Sequence, residues 1–305
     1  MAYSLERQLE KVPFVPDGNR SIPMPRNNAY SMLFLTLSVT YNTSASVNLK
    51  PWHFYNLIER LTITANSNLV VKDLPFKALP IKTLFYTGKL PYVNYSTTPS
   101  STGLKATVTA PLFFKLPRMI RPHDALLFAP NLTSLDLSVN WANETAIGTG
   151  VTVTDAELKI ATEEFVDWDI EKNPVSLFKE TFRIEDVTGS QTGRLIRLNP
   201  ETTYRAINLV TFDDNGLRND IITRTKISIG AVVFKDVEAE TLRHKNNNIF
   251  GLQDDVDGLY RLDFAPRGYL TDTLKAKNVP NVELYIDQQA NGTNPKILIL
   301  PEEVV

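Results

Sequence analysis

The stretch Asn131-Leu132-Thr133-Ser134-Leu135-Asp136-Leu137-Ser138-Val139-Asn140 reads as a half-buried strand, with Leu135, Leu137 and Val139 alternating against polar neighbours. It returns 147 residues later as Asn278-Val279-Pro280-Asn281-Val282-Glu283-Leu284-Tyr285-Ile286-Asp287. Each copy follows a shorter shared block, Phe114-Lys115-Leu116 in one half and Tyr260-Arg261-Leu262 in the other, at separations of 17 and 18 residues. Two further blocks repeat in the same order. Ser21-Ile22-Pro23-Met24-Pro25-Arg26-Asn27-Asn28-Ala29-Tyr30 aligns with Leu195-Ile196-Arg197-Leu198-Asn199-Pro200-Glu201-Thr202-Thr203-Tyr204 at an offset of 174. Both read as a short strand, a turn and a tyrosine entering a longer strand. Leu61-Thr62-Ile63 with Val70-Val71-Lys72-Asp73-Leu74 aligns with Ile227-Ser228-Ile229 and Val233-Phe234-Lys235-Asp236-Val237, the second copy being three residues shorter at the turn. Any one such block recurs in many β proteins. Three in one order, separated by loop-sized length changes, identify a tandem repeat.

Outward from these blocks the same alternation continues at Leu33, Leu35, Leu37 and Val39, and at Val151 and Val153. The fold class is therefore all-β. Two short stretches read as helical: Ser4 to Lys11, with Leu5 and Leu9 at i,i+4, and Val175 to Phe182, opened by Asn173-Pro174. The organisation expected is an N-terminal arm over 1–20, a first β unit over 21–160, a connector with a short helix over 161–190, and a second β unit over 191–305.

The 305 residues include 32 basic and 34 acidic side chains and no cysteine. A net charge of −2 gives no basic field for direct nucleic-acid binding. Without cysteine there is no disulfide framework, thiolate metal site or Cys nucleophile, which fits folding in a reducing cytosol. The N-terminus has no secretory signal pattern, and no apolar run approaches the ~20 residues that span a bilayer. Residues 1–160 hold 15 basic and 10 acidic residues, and residues 161–305 hold 17 and 24. Opposite signs on two similar units suggest complementary contacts between neighbouring copies.

Catalytic signatures are missing from the sequence. His53, His123 and His244 are scattered, and phosphate-loop, nucleophile-elbow and dinucleotide motifs do not occur. Asp213-Asp214-Asn215-Gly216 and Asp254-Asp255-Val256-Asp257-Gly258 are oxygen-rich, making Asp213, Asp214, Asp254, Asp255 and Asp257 the candidate Ca²⁺ ligands. Neither segment has the spacing of a twelve-residue calcium loop, and Asx-Gly turns explain both more simply. No other cofactor is expected. Aromatics at Trp52, Phe54 and Tyr55, and again at Phe85, Tyr86, Tyr92 and Tyr95, read as packing residues or as a ligand platform.

Ile22-Pro23-Met24-Pro25, Leu57-Ile58-Glu59-Arg60-Leu61-Thr62-Ile63, Pro130-Asn131-Leu132-Thr133-Ser134-Leu135-Asp136-Leu137, and Gly258-Leu259-Tyr260-Arg261-Leu262-Asp263-Phe264 with Gly268-Tyr269-Leu270 resemble the double jelly-roll major capsid proteins of tailless, membrane-containing icosahedral viruses. Within that adenovirus-hexon lineage, the likeness is to corticovirus-type and flavobacterial lipid-containing bacteriophages. The resemblance implies two tandem eight-stranded jelly rolls, homotrimeric capsomers of pseudo-hexagonal outline, and a virion shell over an internal membrane. It implies no enzyme activity, and partners that are further capsomers, a vertex (penton) protein and minor capsid proteins. It further implies an arm reaching neighbours or lipid, through Leu5, Arg7, Leu9, Lys11, Val12 and Phe14. The alternatives are a carbohydrate-active or amide-cleaving enzyme on paired jelly rolls, with convergent carboxylates, and a glycan-binding adhesin or spike.

Overall fold

The computed structural model describes residues 3–252 and 256–305. The chain divides into two compact units, one running to Pro117 and over Pro122–Lys179, the other comprising Arg118–Arg121 and Glu180–Val305.

In the first unit the strands are β1 (Tyr3–Gln8), β2 (Val12–Pro13), β3 (Asn19–Pro23), β4 (Ala29–Leu49), β5 (Ile58–Ala65), β6 (Leu69–Leu74), β7 (Val93–Asn94), β8 (Leu104–Phe113), β9 (Leu127–Phe128), β10 (Leu135–Trp141) and β11 (Gly148–Val166), with helix α1 (Ala78–Thr87) after β6. β12 (Phe178–Glu180) lies where the chain leaves that unit. The second unit has β13 (Arg183–Asp186), β14 (Gln191–Leu198), β15 (Thr203–Asp213), β16 (Gly216–Leu217), β17 (Ile222–Ile229), β18 (Val232–Glu238), β19 (Leu259–Asp263), β20 (Leu274–Lys275), β21 (Val282–Gln288) and β22 (Lys296–Val304), with helix α2 (Ala239–Phe250) after β18.

Each unit is an eight-stranded jelly roll, and the two are wired identically. β3 and β5 flank β10, with β6 outside β5; β14 and β17 flank β21, with β18 outside β17. In the facing sheet β4 pairs with β11, β8 and β9, as β15 pairs with β22, β19 and β20. Alternation buries one face of each strand: Leu33, Leu35, Leu37 and Val39 are all buried, as are Val282, Leu284 and Ile286.

Ladder register tests the repeat residue by residue. Leu137 faces Ile22 and Ile63, and Leu284 faces Ile196 and Ile227. The offsets of 174 and 147 therefore hold. Ile63 corresponds to Ile227, however, so the expected match of Leu61-Thr62-Ile63 to Ile227-Ser228-Ile229 is shifted by two residues. The turn Asn66–Asn68 is then one residue longer than Gly230–Ala231, not three. Leu112 faces Leu33 as Leu262 faces Ile207, which moves the Phe114/Tyr260 match by four. Both shifts are even, and an even shift leaves the in-out phase of a strand unchanged.

Two helices expected from the sequence are strands or loops. Ser4–Gln8 lies in β1, antiparallel to β11. Leu5 and Leu9 satisfy a two-residue period as well as i,i+4, and the open edge of β11 supplies hydrogen-bond partners that an isolated short helix lacks. The segment after Asn173-Pro174 is extended, with Ser176 N–H donating to the Asp124 carbonyl and Leu126 N–H to that of Ser176. The expected connector is thus occupied by the end of β11 and by β13, which pairs with β22.

The helices that do form follow the β5–β6 and β17–β18 hairpins. α1 carries Pro80 in its first turn and closes at Gly88, whose φ of 81° suits glycine. α2 buries Leu242, Asn246 and Phe250 at i, i+4 and i+8.

The charge asymmetry expected between the halves does not belong to the folded units. Acidic residues 163–171 fall in the first unit, which holds 15 basic and 15 acidic residues against 17 and 19 in the second.

Candidate assembly surfaces and buried ionic clusters

The most ordered chemistry lies at one repeated place, a β-bulge near the start of the long second strand. In the first unit, β4 steps from Tyr30 to Met32 while β11 steps from Glu164 to Glu163, leaving Ser31 as the extra residue. In the second, Tyr204 and Ala206 face Glu303 and Glu302, leaving Arg205 extra. Next to each bulge a tyrosine hydroxyl donates to the carbonyl five residues back, Tyr30 to Pro25 at 2.5 Å and Tyr204 to Asn199 at 2.7 Å. Burial, reinforced by Glu164 and Glu303, raises both phenols above their ordinary range.

Acids beside the bulges are all engaged. Glu163 accepts from the Ser31 hydroxyl and, at 2.9 Å, from Lys115. Burial opposes its ionisation, but these two donors outweigh it and hold its pKa below the usual range. Glu302 receives Arg261 in a fork at 2.6 and 2.9 Å, Arg205 at 3.2 Å and Asn208 at 2.9 Å. The Arg261–Glu302 side chains are 1% and 0% exposed, against 22% and 23% for Lys115–Glu163. A second buried acid, Glu164, accepts from Arg7 at 2.8 and 2.9 Å and from Asn28 at 2.7 Å.

The residues expected to reach neighbours or lipid are largely spent on the first unit itself. Arg7 forks onto Glu164, Val12 is fully buried, and Phe14 packs edge-on to Trp141 with centroids 5.4 Å apart. Leu5 and Leu9 are half-buried, and Lys11 pairs with Glu157 at 3.0 Å while staying largely in solvent.

The candidate calcium ligands divide. Asp213 accepts from the backbone N–H groups of Asn215, Gly216 and Thr293 and faces Arg218 at 3.4 Å. Burial opposes ionisation, yet those donors keep its pKa below the usual range. Asp214 accepts from Asn294, and Asp257 from Asn219. Asp254 and Asp255 lie outside the described residues. Among the described residues no group of three or more His, Asp or Glu could hold a metal ion.

The histidines are separate. His53 packs against Tyr95 at 4.6 Å, His123 against Phe165 at 4.8 Å, and His244 lies on α2 beside Glu240. In the second unit an open groove of about 650 Å³ includes Asp220, Glu238, Glu240 and Asp287 in its walls. Asp220 is ion-paired with Arg218 and Asp287 accepts from Gly193 N–H.

Exposed apolar side chains concentrate on strand ends and turns. The β17–β18 hairpin presents Val232, Val233 and Phe234, at 59%, 51% and 52% exposure. The corresponding hairpin of the first unit ends instead in polar Asn66-Ser67-Asn68, with Asn66 accepting from Thr133 N–H and Ser67 N–H donating to Ser134. The sequence blocks mark both hairpins, but alternation alone does not distinguish a covered tip from a bare one. Among the described residues no helix is long and apolar enough to cross a membrane.

No protein-family model and no curated protein matches the sequence. Solved structures do. A crystal structure of the STIV MCP is similar with a TM-score of 0.80 at 16% identity, covering 99% of this chain and 97% of that one. This is the double jelly-roll fold of viral major capsid proteins. The chain in the atomic structure of Sulfolobus Turreted Icosahedral Virus gives 0.79 at 15% identity, covering 99% and 90%. Major capsid protein P2 from Bacteriophage PM2 gives 0.67 at 13% identity, covering 99% and 97%. The double jelly-roll architecture expected from the sequence is therefore present, and the matches extend over both units.

Proposed function

We propose that this chain is the major capsid protein of a tailless icosahedral virus, a structural protein without enzymatic activity. The single observation that carries the reading is the end-to-end likeness to capsid proteins, with 99% of this chain and 97% of the STIV MCP aligned. Physical reasoning agrees: two barrels of one architecture in one chain let three copies present six similar blocks, a number that tiles a plane. The capsomer is a homotrimer of pseudo-hexagonal outline, joined in the virion by other capsomers, a vertex protein and minor capsid proteins.

The shell lies over an internal membrane, and the bacteriophage assignment rests on the resemblance of the sequence blocks together with the likeness to the PM2 protein. Contact of the N-terminal arm with lipid or neighbours is part of this proposal. It runs through the solvent face of β1 and Lys11, because Val12, Phe14 and Arg7 are engaged within the barrel.

Light scattering on the full chain at low and high salt tests the reading. A species of three chains that forms lattices on lipid vesicles is expected. A monomer at every concentration, with and without vesicles, overturns it.

A further inference from the structure

The first unit contains an unfilled apolar groove of about 170 Å³ between the β5–β6 hairpin, β9 and the segment after β11. Its walls include Leu69, Leu126, Phe128, Leu132, Ile170 and Val175. Four of these, Phe128, Leu132, Ile170 and Val175, are only half-buried, so the barrel leaves apolar surface facing an empty space. An apolar cavity of about 150 Å³ is large enough to take benzene. The groove therefore has room for one phenyl ring.

The second unit carries the matching part. Val232, Val233 and Phe234 are consecutive residues of an edge strand, so they point to both faces of the hairpin and all three stand in solvent. A half-exposed phenylalanine still shows on the order of 100 Å² to water. The equivalent hairpin of the first unit has no such tip, and its Leu69, at the start of the strand after the turn as Val232 is, forms a wall of the groove.

We infer that the Val232–Phe234 tip of one copy docks in the Leu69–Ile170 groove of a second copy, with the Phe234 ring as the inserted side chain. This rests on the self-assembly reading above. Tip and groove are different surfaces of the same chain, so the contact is heterologous, and each copy gives a tip and receives one. Repetition closes a ring or propagates. A stable interface buries about 800 Å² per partner, so this contact is the desolvated anchor of a larger one.

The absence of cysteine makes the test clean. Two full-length variants, Phe234→Cys and Ile170→Cys, carry one thiol each. Mixed and oxidised, they are expected to give a disulfide-linked pair containing one chain of each kind, with neither variant linking to itself. Phe234→Ala is expected to weaken self-association at least ~30-fold. Self-association of the wild-type chain with no mixed cross-link, a Phe234→Cys pair linked tip to tip, or undiminished association of Phe234→Ala each overturns the docking and leaves the capsid reading standing. Loss of phosphatidylglycerol-vesicle binding by Ile170→Asp with self-association intact assigns the groove to an acyl chain and also overturns it. A wild-type chain that is monomeric throughout overturns both.

Discussion

Ser31 and Arg205, 174 residues apart, are the same residue of the repeat: each is the extra residue of a β-bulge, and each turns its side chain onto the glutamate opposite, Glu163 or Glu302. The backbone irregularity is common to both copies while the chemistry around it differs. In the first unit the cation is Lys115, two residues past the end of β8, and in the second it is Arg261, in the middle of β19. A bulge re-aims side chains locally, so one backbone device serves a half-exposed pair in one barrel and a buried cluster in the other.

That difference sets unequal energies. Glu302→Ala removes the buried carboxylate that Arg205 and Arg261 both engage and is expected to cost about 3–5 kcal/mol. Glu163→Ala, at a site open to water, is expected to cost about 1 kcal/mol or less. Urea unfolding of the two variants measures the order, and equal losses would contradict it.

Arg7 forks onto Glu164, which has no exposed side-chain surface. Arg7→Ala is expected to destabilise the first unit by about 2–3 kcal/mol, and Arg7→Ala with Glu164→Gln to recover part of the loss, since the charge to be stabilised is gone. Calorimetric melting temperatures provide the check. Recovery would be absent if β1 were held by its ladder alone.

His123 lies against Phe165, with burial and then Lys115 lowering its pKa below the ordinary histidine value. The unfolded chain therefore binds more protons than the folded one as pH falls through about 6.5. Stability is full above that pH and declines below it, until the folded-state pKa is passed. His123→Phe is expected to flatten this slope in a melting series from pH 7.5 to 5, and an unchanged slope would count against it.

Tyr30→Phe and Tyr204→Phe each remove one buried hydroxyl that donates to a carbonyl five residues back. Each is expected to cost about 1 kcal/mol, and the two losses to add, because they lie in different barrels. Chemical denaturation of the single and double variants reads both points.

The repeat was legible because each strand writes its buried face as a two-residue period, and Leu135-Asp136-Leu137 and Val282-Glu283-Leu284 occupy matching ladder positions. The same period hides register, since a slip of two or four residues keeps Ile63 or Leu112 on the inner face. α1 is buried over almost its whole length and so has no apolar stripe, and the inward stripe of α2 is interrupted by polar Asn246, so neither helix writes a clear helical period in the sequence. Arg7 read as part of an outward-reaching arm because its partner, Glu164, is 157 residues away. The groove near Ile170 could not be read at all, as its walls come from three segments far apart in the sequence.

β4 runs for 21 residues and β11 for 19, whereas β15 and β22 run for 11 and 9. At about 3.3 Å per residue the surplus of ten is a ribbon some 30 Å longer in one barrel than in the other. Gly150 sits in it at a register shift, with φ of 72° and no room for a Cβ beside the Ser46 carbonyl, so the extension is a shaped element. The repeat is therefore one of strand order and not of strand length: two copies of one wiring diagram carry ribbons of unequal reach, and duplication has left the two units free to diverge in what each extends beyond its barrel.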